Sequence, residues 1–134
     1  MLEQAREALS AHEYQHAEDI LVEYIVKHTK DTNAYMLLGE AAVGREDWQE
    51  AAEIFEQVIT WNPDQPRAYA LLGLSACRAG RYSKALQALQ RAHEADPEDV
   101  NILTDLLSIA RKMDNPALQK SISEKINALE SVRV

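Results

Sequence analysis

The chain has 134 residues, of which 46% are hydrophobic, 27% are charged and 6% are aromatic. This composition excludes a disordered chain, which has few apolar side chains, and a membrane-spanning chain, which has long stretches without charge. Sparse glycine and proline, with abundant Ala, Leu, Glu, Gln and Arg, favour helices over strands. A single cysteine excludes a disulfide framework and a thiolate zinc site. We therefore expect one helical, soluble domain.

The formal net charge of -8 is unevenly distributed along the chain. Residues 1–64 include 14 acidic and 4 basic residues, whereas residues 65–134 include 8 acidic and 10 basic residues. The basic excess of the second half is too small for nucleic-acid binding, which needs a concentrated Lys and Arg surface. Two interpretations of the acidic half stay open: it meets a basic partner, or its acids simply solvate helix faces.

Residues 32–65 match residues 66–99 when the sequence is shifted by 34 positions. Eight positions are identical, whereas chance predicts about two. The identical pairs are Ala34/Ala68, Tyr35/Tyr69, Leu37/Leu71, Leu38/Leu72, Gly39/Gly73, Ala42/Ala76, Ala51/Ala85 and Pro63/Pro97. Two consecutive copies at an unbroken period predict a repeat protein.

The spacing within each copy predicts two helices. The first helix of residues 32–65 gathers one face at i, i+3, i+4 and i+7: Tyr35, Leu38, Gly39 and Ala42. Glycine costs about 1 kcal/mol inside a helix, so we expect Gly39 to allow close approach of a neighbouring backbone. In the second helix, Ala51 lets the partner helix approach and Phe55 fills the space beyond it.

Polar residues and glycines mark the expected helix boundaries. Asp47 with Glu50 predicts a capping box, and Asp64 and Asp99 are placed to cap the helices that follow them. The turn within each pair is assigned to glycines, the first of them Gly44 and the second Gly80.

The pattern Tyr35-x-x-Leu38-Gly39-x-x-Ala42, then Ala51-x-x-x-Phe55, then Pro63, resembles the tetratricopeptide repeat. The second copy fits better, with Tyr69, Leu72, Gly73, Ala76, Tyr82, Ala85, Leu89, Ala92 and Pro97. The resemblance implies an all-α, right-handed α-solenoid of about four antiparallel helix pairs. In this family the first helices line a concave groove that commonly binds a segment of another protein.

The flanking residues are degenerate copies of the same unit. We expect a single domain over residues 1–134, with a degenerate repeat at 1–31, clear repeats at 32–65 and 66–99, and a degenerate capping repeat at 100–134. The first helix starts partway into its unit, and two interpretations stay open: the sequence is a piece of a longer parent chain, free to carry a membrane anchor, or Met1 is a true start. No charged segment followed by an apolar one opens the sequence, so we favour the cytoplasm while leaving the compartment open.

The expected groove residues are those on the first helices that packing does not use. They are Asn33, Met36, Leu37, Glu40 and Val43, then Arg67, Ala70, Leu71, Leu74 and Cys77, and then Asn101, Thr104, Asp105, Ser108 and Arg111. The middle of the list is an apolar strip suited to an amphipathic helix, and consists of Met36, Leu37, Val43, Ala70, Leu71 and Leu74. The alternative is that Leu37 and Leu71, above all, are buried between repeats.

The sequence thus predicts a non-enzymatic protein-interaction module that binds a peptide or amphipathic helix of a partner protein. A self-association module, and hence a homo-oligomer, is the alternative, as is a chaperone-like accessory domain of a larger protein. An enzyme is disfavoured because nucleophile motifs and a glycine-rich phosphate loop are missing and the acids are dispersed. We expect no cofactor, no nucleic acid and no direct membrane contact of this segment.

Two narrower activities are also disfavoured by residue type. His12 and His16 have metal-like spacing, but a turn expected before Tyr14 separates them and no third ligand is apparent. Members of the family that clamp a carboxylate use Lys, Asn and Arg on successive first helices. At the corresponding positions Leu2, Arg6, Leu37, Arg67 and Leu71, only the two arginines are basic.

Overall fold

The computed structural model describes residues 1–132. Over this range it contains eight α-helices and no strand. The helices are α1 (Leu2–Ser10), α2 (Tyr14–Lys27), α3 (Thr32–Gly44), α4 (Trp48–Trp61), α5 (Pro66–Arg78), α6 (Tyr82–Ala95), α7 (Val100–Lys112) and α8 (Pro116–Val132). They form four antiparallel pairs stacked into a right-handed solenoid, which confirms the predicted fold.

The 34-residue period extends through both outer pairs. The second helices begin at Tyr14, Trp48, Tyr82 and Pro116, and the later first helices begin at Thr32, Pro66 and Val100. One residue with a positive φ angle lies in the turn of each pair, and these are His12 (61°), Glu46 (60°), Gly80 (81°) and Asp114 (52°). Within each of these three series, consecutive positions are 34 residues apart. The outer pairs keep this period although they lack most residues of the motif.

Gly44 does not form the turn of its pair, contrary to the prediction. It is the last residue of α3, and Glu46 takes the left-handed conformation two positions later. Gly44 instead makes room for an aromatic side chain of the preceding pair, because a Cβ at this position would overlap the ring of Tyr14. Gly80 does occupy its turn, as predicted.

Two of the three predicted aspartate caps are present. The Asp47 carboxylate accepts a hydrogen bond from the backbone N–H of Glu50 at 3.3 Å, and that of Asp99 accepts one from Asn101 at 2.9 Å. The Glu50 side chain does not reach back to close a capping box and accepts a hydrogen bond from Arg45 instead.

The third predicted cap, Asp64, was wrong. Helix α5 begins at Pro66, with Gln65 at the N-cap position. Proline has no backbone N–H, so this position needs no capping acceptor. A cap that the sequence interpretation missed occurs at Asp31, which accepts hydrogen bonds from the first backbone N–H groups of α3. The same carboxylate accepts a hydrogen bond from the Tyr24 hydroxyl at 2.9 Å.

The second helices α2, α4 and α6 each pack between their own first helix and the first helix of the next pair, as α4 does between α3 and α5. The space at Gly39 is filled by the ring of Phe55, and that at Gly73 by the side chain of Leu89. The expectation of a neighbouring backbone at Gly39 was therefore wrong, because a side chain of the partner helix makes the close contact. Helix α1 also contacts α3, and α5 contacts α7, so the first helices form the inner layer.

Helix α8 packs on α7 through its apolar side chains. Its predicted stripe packs against the core formed with α7, where Ile122 is 3% exposed and Leu118, Ile126 and Leu129 are partly buried. Ile109 of α7 is fully buried in the same cluster. Helix α8 therefore forms an apolar core with α7.

Candidate partner-binding groove

Helix α3 contributes less apolar surface to the groove than predicted. Asn33 is exposed, and Glu40 and Val43 are partly buried. Met36 and Leu37 are only 5% and 9% exposed. The expectation that both belong to an exposed strip was therefore wrong.

Neighbouring pairs cover these two side chains from opposite directions. Met36 belongs to the core cluster that includes Ala68 and Leu72 of the following pair. Leu37 belongs to the cluster that includes Leu21 of the preceding pair. The alternative interpretation, burial between repeats, is thus confirmed for Leu37.

Helix α5 carries the apolar part of the groove. Ala70, Leu71, Leu74 and Cys77 are all partly buried. Ala70 and Cys77 pack against the core cluster shared with α7, and Leu71 packs against the cluster around Phe55. Among residues 1–132, no core cluster includes Leu74, so its side chain is the large apolar group of α5 most available to a partner.

Helix α7 forms a polar wall. Its five predicted groove residues are all exposed: Asn101, Thr104, Asp105, Ser108 and Arg111. The Thr104 hydroxyl donates a hydrogen bond to the carbonyl of Val100 at 2.9 Å, so it is already partly satisfied within the helix. The amide and charged groups of this wall can form hydrogen bonds with a bound chain.

An ion pair joins α3 and α5 near one end of the apolar part. The guanidinium of Arg67 donates to the Glu40 carboxylate, while 68% of the Arg67 side chain remains exposed. Exposed ion pairs stabilise proteins by at most about 1 kcal/mol, so the pair does little for the fold. It does neutralise one of the two arginines considered above for a carboxylate clamp.

Arg78, which the sequence interpretation missed, lies beside the same groove. Its guanidinium carbon is 5.3 Å from the centre of the Trp48 ring, within the range of a cation–π contact. Partial burial raises the pKa of Asp105, as does the negative charge of Asp99, while the positive charge of Arg78 opposes this rise. Arg78 was identifiable from spacing, because it follows Leu74 by four residues on the same helix face.

The described residues provide no grouping for a metal ion. Within residues 1–132, three or more His, Cys, Asp or Glu side chains never converge. His12 lies in a turn, with its Nδ1 atom 2.6 Å from the Tyr14 hydroxyl, whereas His16 lies on α2. No helix in the described part of the chain is both long and apolar enough to span a membrane.

Comparison with known proteins agrees with this geometry. Tetratricopeptide repeat models match residues 38–106 and 2–60. No curated protein matches the sequence. Solved structures of MamA proteins share the fold.

A MamA RS-1 ArsTM double mutant has 21% identity and a TM-score of 0.92, and the match covers 98% of this chain and 74% of that one. Another MamA structure has 20% identity and a TM-score of 0.91, with 98% and 77% covered. MamA MSR-1 has 16% identity and a TM-score of 0.85, with 95% and 73% covered. The repeat model over residues 38–106 matches more than half of the sequence, and the chain therefore belongs to the tetratricopeptide repeat family.

Proposed function

We propose that this chain is a non-enzymatic interaction module that binds a peptide or amphipathic helix of a partner protein in the groove along α3, α5 and α7. Tetratricopeptide repeats are generally non-catalytic protein-interaction or scaffold modules, and membership of the family supports the coarse assignment. The observation that carries the finer proposal is the position of Leu74, a partly exposed leucine on the inner layer that lies outside every described core cluster.

The surroundings of Leu74 resemble the centre of a protein interface. Such interfaces combine an apolar anchor site with a polar rim that excludes water and fixes orientation. Here the rim consists of the Glu40–Arg67 ion pair on one side and of Arg78 with Asp105 on the other. Charged pairs of this kind favour the correct register of a partner more than they increase its affinity.

The test is the substitution Leu74→Glu, which places a charge at the proposed anchor. Partner proteins are first captured with the wild-type chain and then purified. Each partner that binds the purified wild-type chain should bind the Leu74→Glu variant about tenfold to a hundredfold more weakly. Gln90→Glu is the matched control, since it adds the same charge at an exposed position of α6. Equal binding by a folded Leu74→Glu variant would show that the groove assignment is wrong.

Self-association is the second candidate, and the charge distribution favours it. The acidic first half and the mildly basic second half give the two ends of the solenoid opposite character, which suits a head-to-tail contact between copies. Light scattering at several protein concentrations and at low salt tests this candidate. A mass that stays monomeric over the whole series would exclude it.

A further inference from the structure

Equivalent positions on the second helices differ in chemistry from one pair to the next. A cavity of about 410 Å³ lies where α4, α5 and α6 meet, and the side chains around it include Glu56, Thr60, Lys84 and Arg91. Charges in this cleft are paired, because Lys84 Nζ lies 2.6 Å from a Glu56 carboxylate oxygen and Arg81 lies 3.7 Å from the same atom. The charged side chains of this cleft therefore largely neutralise one another.

The equivalent positions on α2 and α4 are more apolar. Since helix boundaries repeat every 34 residues, Val22 and Val26 take the positions of Glu56 and Thr60, and Ile54 takes that of Ala88. Val22 is 51% exposed and Val26 is 74% exposed, and four residues separate them on one face of α2. Exposed valines at adjacent turns leave apolar area in water, which burial against a partner would relieve.

The same two helices carry an excess of negative charge. Helices α2 and α4 contain six acidic residues and one basic residue, Lys27. Arg45 neutralises part of this charge, since it forms 3.0 Å contacts with both Glu18 and Glu50.

Three other acids on these helices, Asp19, Glu23 and Glu53, are exposed. Within residues 1–132, no cationic group forms an ion pair with any of them. Amide groups of Gln15 and Gln49 donate hydrogen bonds to Asp19 and Glu53, which orients the carboxylates without neutralising them. The outer surface of α2 and α4 therefore combines exposed valines with uncompensated negative charge.

We propose that the outer surface of α2 and α4 is a second docking surface, which binds a cationic amphipathic helix of a partner protein. Aliphatic side chains of that helix cover Val22 and Val26, and its Lys or Arg side chains pair with Glu23 and Glu53. We assign this bound helix to another protein. Helix α8 carries Lys120 and Lys125, but its apolar stripe already packs on α7. This surface is separate from the groove and does not depend on the function proposed there.

The probe is a synthetic amphipathic helix of leucine and lysine, with a serine–lysine peptide and a leucine–glutamate peptide of the same length as controls. Binding is measured by fluorescence anisotropy, and the site is mapped by amide chemical shifts in NMR spectra. We expect only the leucine–lysine peptide to bind, with the largest shifts around Val22, Val26 and Ile54. Raising the salt concentration should weaken this binding, because the charges involved are exposed.

Paired substitutions separate the apolar and ionic contributions. Val22→Ser with Val26→Ser should weaken binding about tenfold or more, and Glu23→Gln with Glu53→Gln should weaken binding and reduce its salt dependence. All four residues are exposed, so melting curves of both double variants should match that of the wild-type chain. Leu74→Ser, in the groove, is the matched control and should change the affinity for this peptide by less than about twofold.

Four results would overturn the proposal. Equal binding of the serine–lysine peptide, or an unchanged affinity in the valine double variant, would show that charge alone attracts the probe. Loss of binding in Leu74→Ser, with shifts centred on α5, would place the peptide in the groove. Failure of the leucine–lysine peptide to bind would leave the outer surface of α2 and α4 without its proposed ligand. The groove would still be tested separately, by its own partner and by Leu74→Glu.

Discussion

The ring of Phe55 in α4 packs directly on Gly39 in α3, where a Cβ atom would lie 2.5 Å from the ring Cε1 atom. The next pair repeats this relationship with Leu89 and Gly73. A helical glycine in this fold therefore matches a large side chain on the partner helix, and the cost in helix propensity is offset by buried apolar contact. Phe55 and Leu89 are among the largest fully buried side chains of the described residues.

Gly39→Ala should destabilise the chain by about 1–3 kcal/mol, because overpacking against Phe55 outweighs the improved helix propensity. Urea denaturation followed by circular dichroism measures the difference. Gly80→Asn is the control and should cost less than about 0.5 kcal/mol, since asparagine tolerates the left-handed conformation. Nothing lies within 4 Å of a Cβ at Gly80, and Asp114 adopts a similar backbone conformation in its own pair. An alanine variant as stable as the wild-type chain would contradict the packing argument.

Asp31→Ala should cost about 1–2 kcal/mol, since it removes the cap of α3 and the acceptor for the Tyr24 hydroxyl. Asp64→Ala provides the comparison and should be nearly neutral, because Gln65 and Pro66 begin the helix that Asp64 was expected to cap. Thermal melts of both variants provide the measurement. If the two substitutions cost the same, the assignment of Asp31 as the cap is wrong.

Asp105→Asn should raise stability slightly at pH 7, by at most about 0.5 kcal/mol for so exposed a group. The pKa of Asp105 is raised by partial burial first and by Asp99 second, so the folded chain binds this proton more readily than the unfolded chain. Ionisation of Asp105 therefore lowers the stability of the folded chain at pH values above the raised pKa. This loss of stability disappears at pH values below the ordinary pKa range of an aspartate. Unfolding curves at about pH 7 and about pH 3 should show the advantage of the variant only at the higher pH. An equal advantage at both values would point to a cause other than titration.

Ile122→Ala should destabilise the chain by about 2–4 kcal/mol, because the side chain is 3% exposed and fills the contact between α8 and α7. Lys120→Ala, an exposed neighbour on the same helix, should change stability by less than about 0.5 kcal/mol. Denaturant melts of the two variants compare them directly. A small effect of Ile122→Ala would mean that α8 contributes little to the core that it shares with α7.

The period and the helix pairing were predictable because they depend on residue types with strong local preferences. Tyr35, Leu38 and Gly39 fix one helix face, and Asp47 and Asp99 mark helix starts through hydrogen bonds to nearby N–H groups. The turn was less predictable, since Glu46 adopts a positive φ angle without being glycine. The packing around the turn determines this conformation, and the residue type at position 46 does not indicate it.

The depth of the groove was not predictable from one helix. Periodicity assigns Met36 and Leu37 to a face, but the extent to which Ala68, Leu72 and Leu21 cover them depends on how adjacent pairs are oriented. Met36→Glu, which an exposed strip would tolerate, should instead unfold the chain because it buries an unpaired charge. Leu74 escapes this burial because no described core cluster extends to it.

Each pair turns on one left-handed residue, at position 12, 46, 80 or 114, and helix contacts join each pair to the next. The four pairs are therefore connected in series. A small change of angle at a single junction therefore swings every later pair as a rigid arm. The ends of the groove can then move apart or together while each helix pair keeps its own core intact.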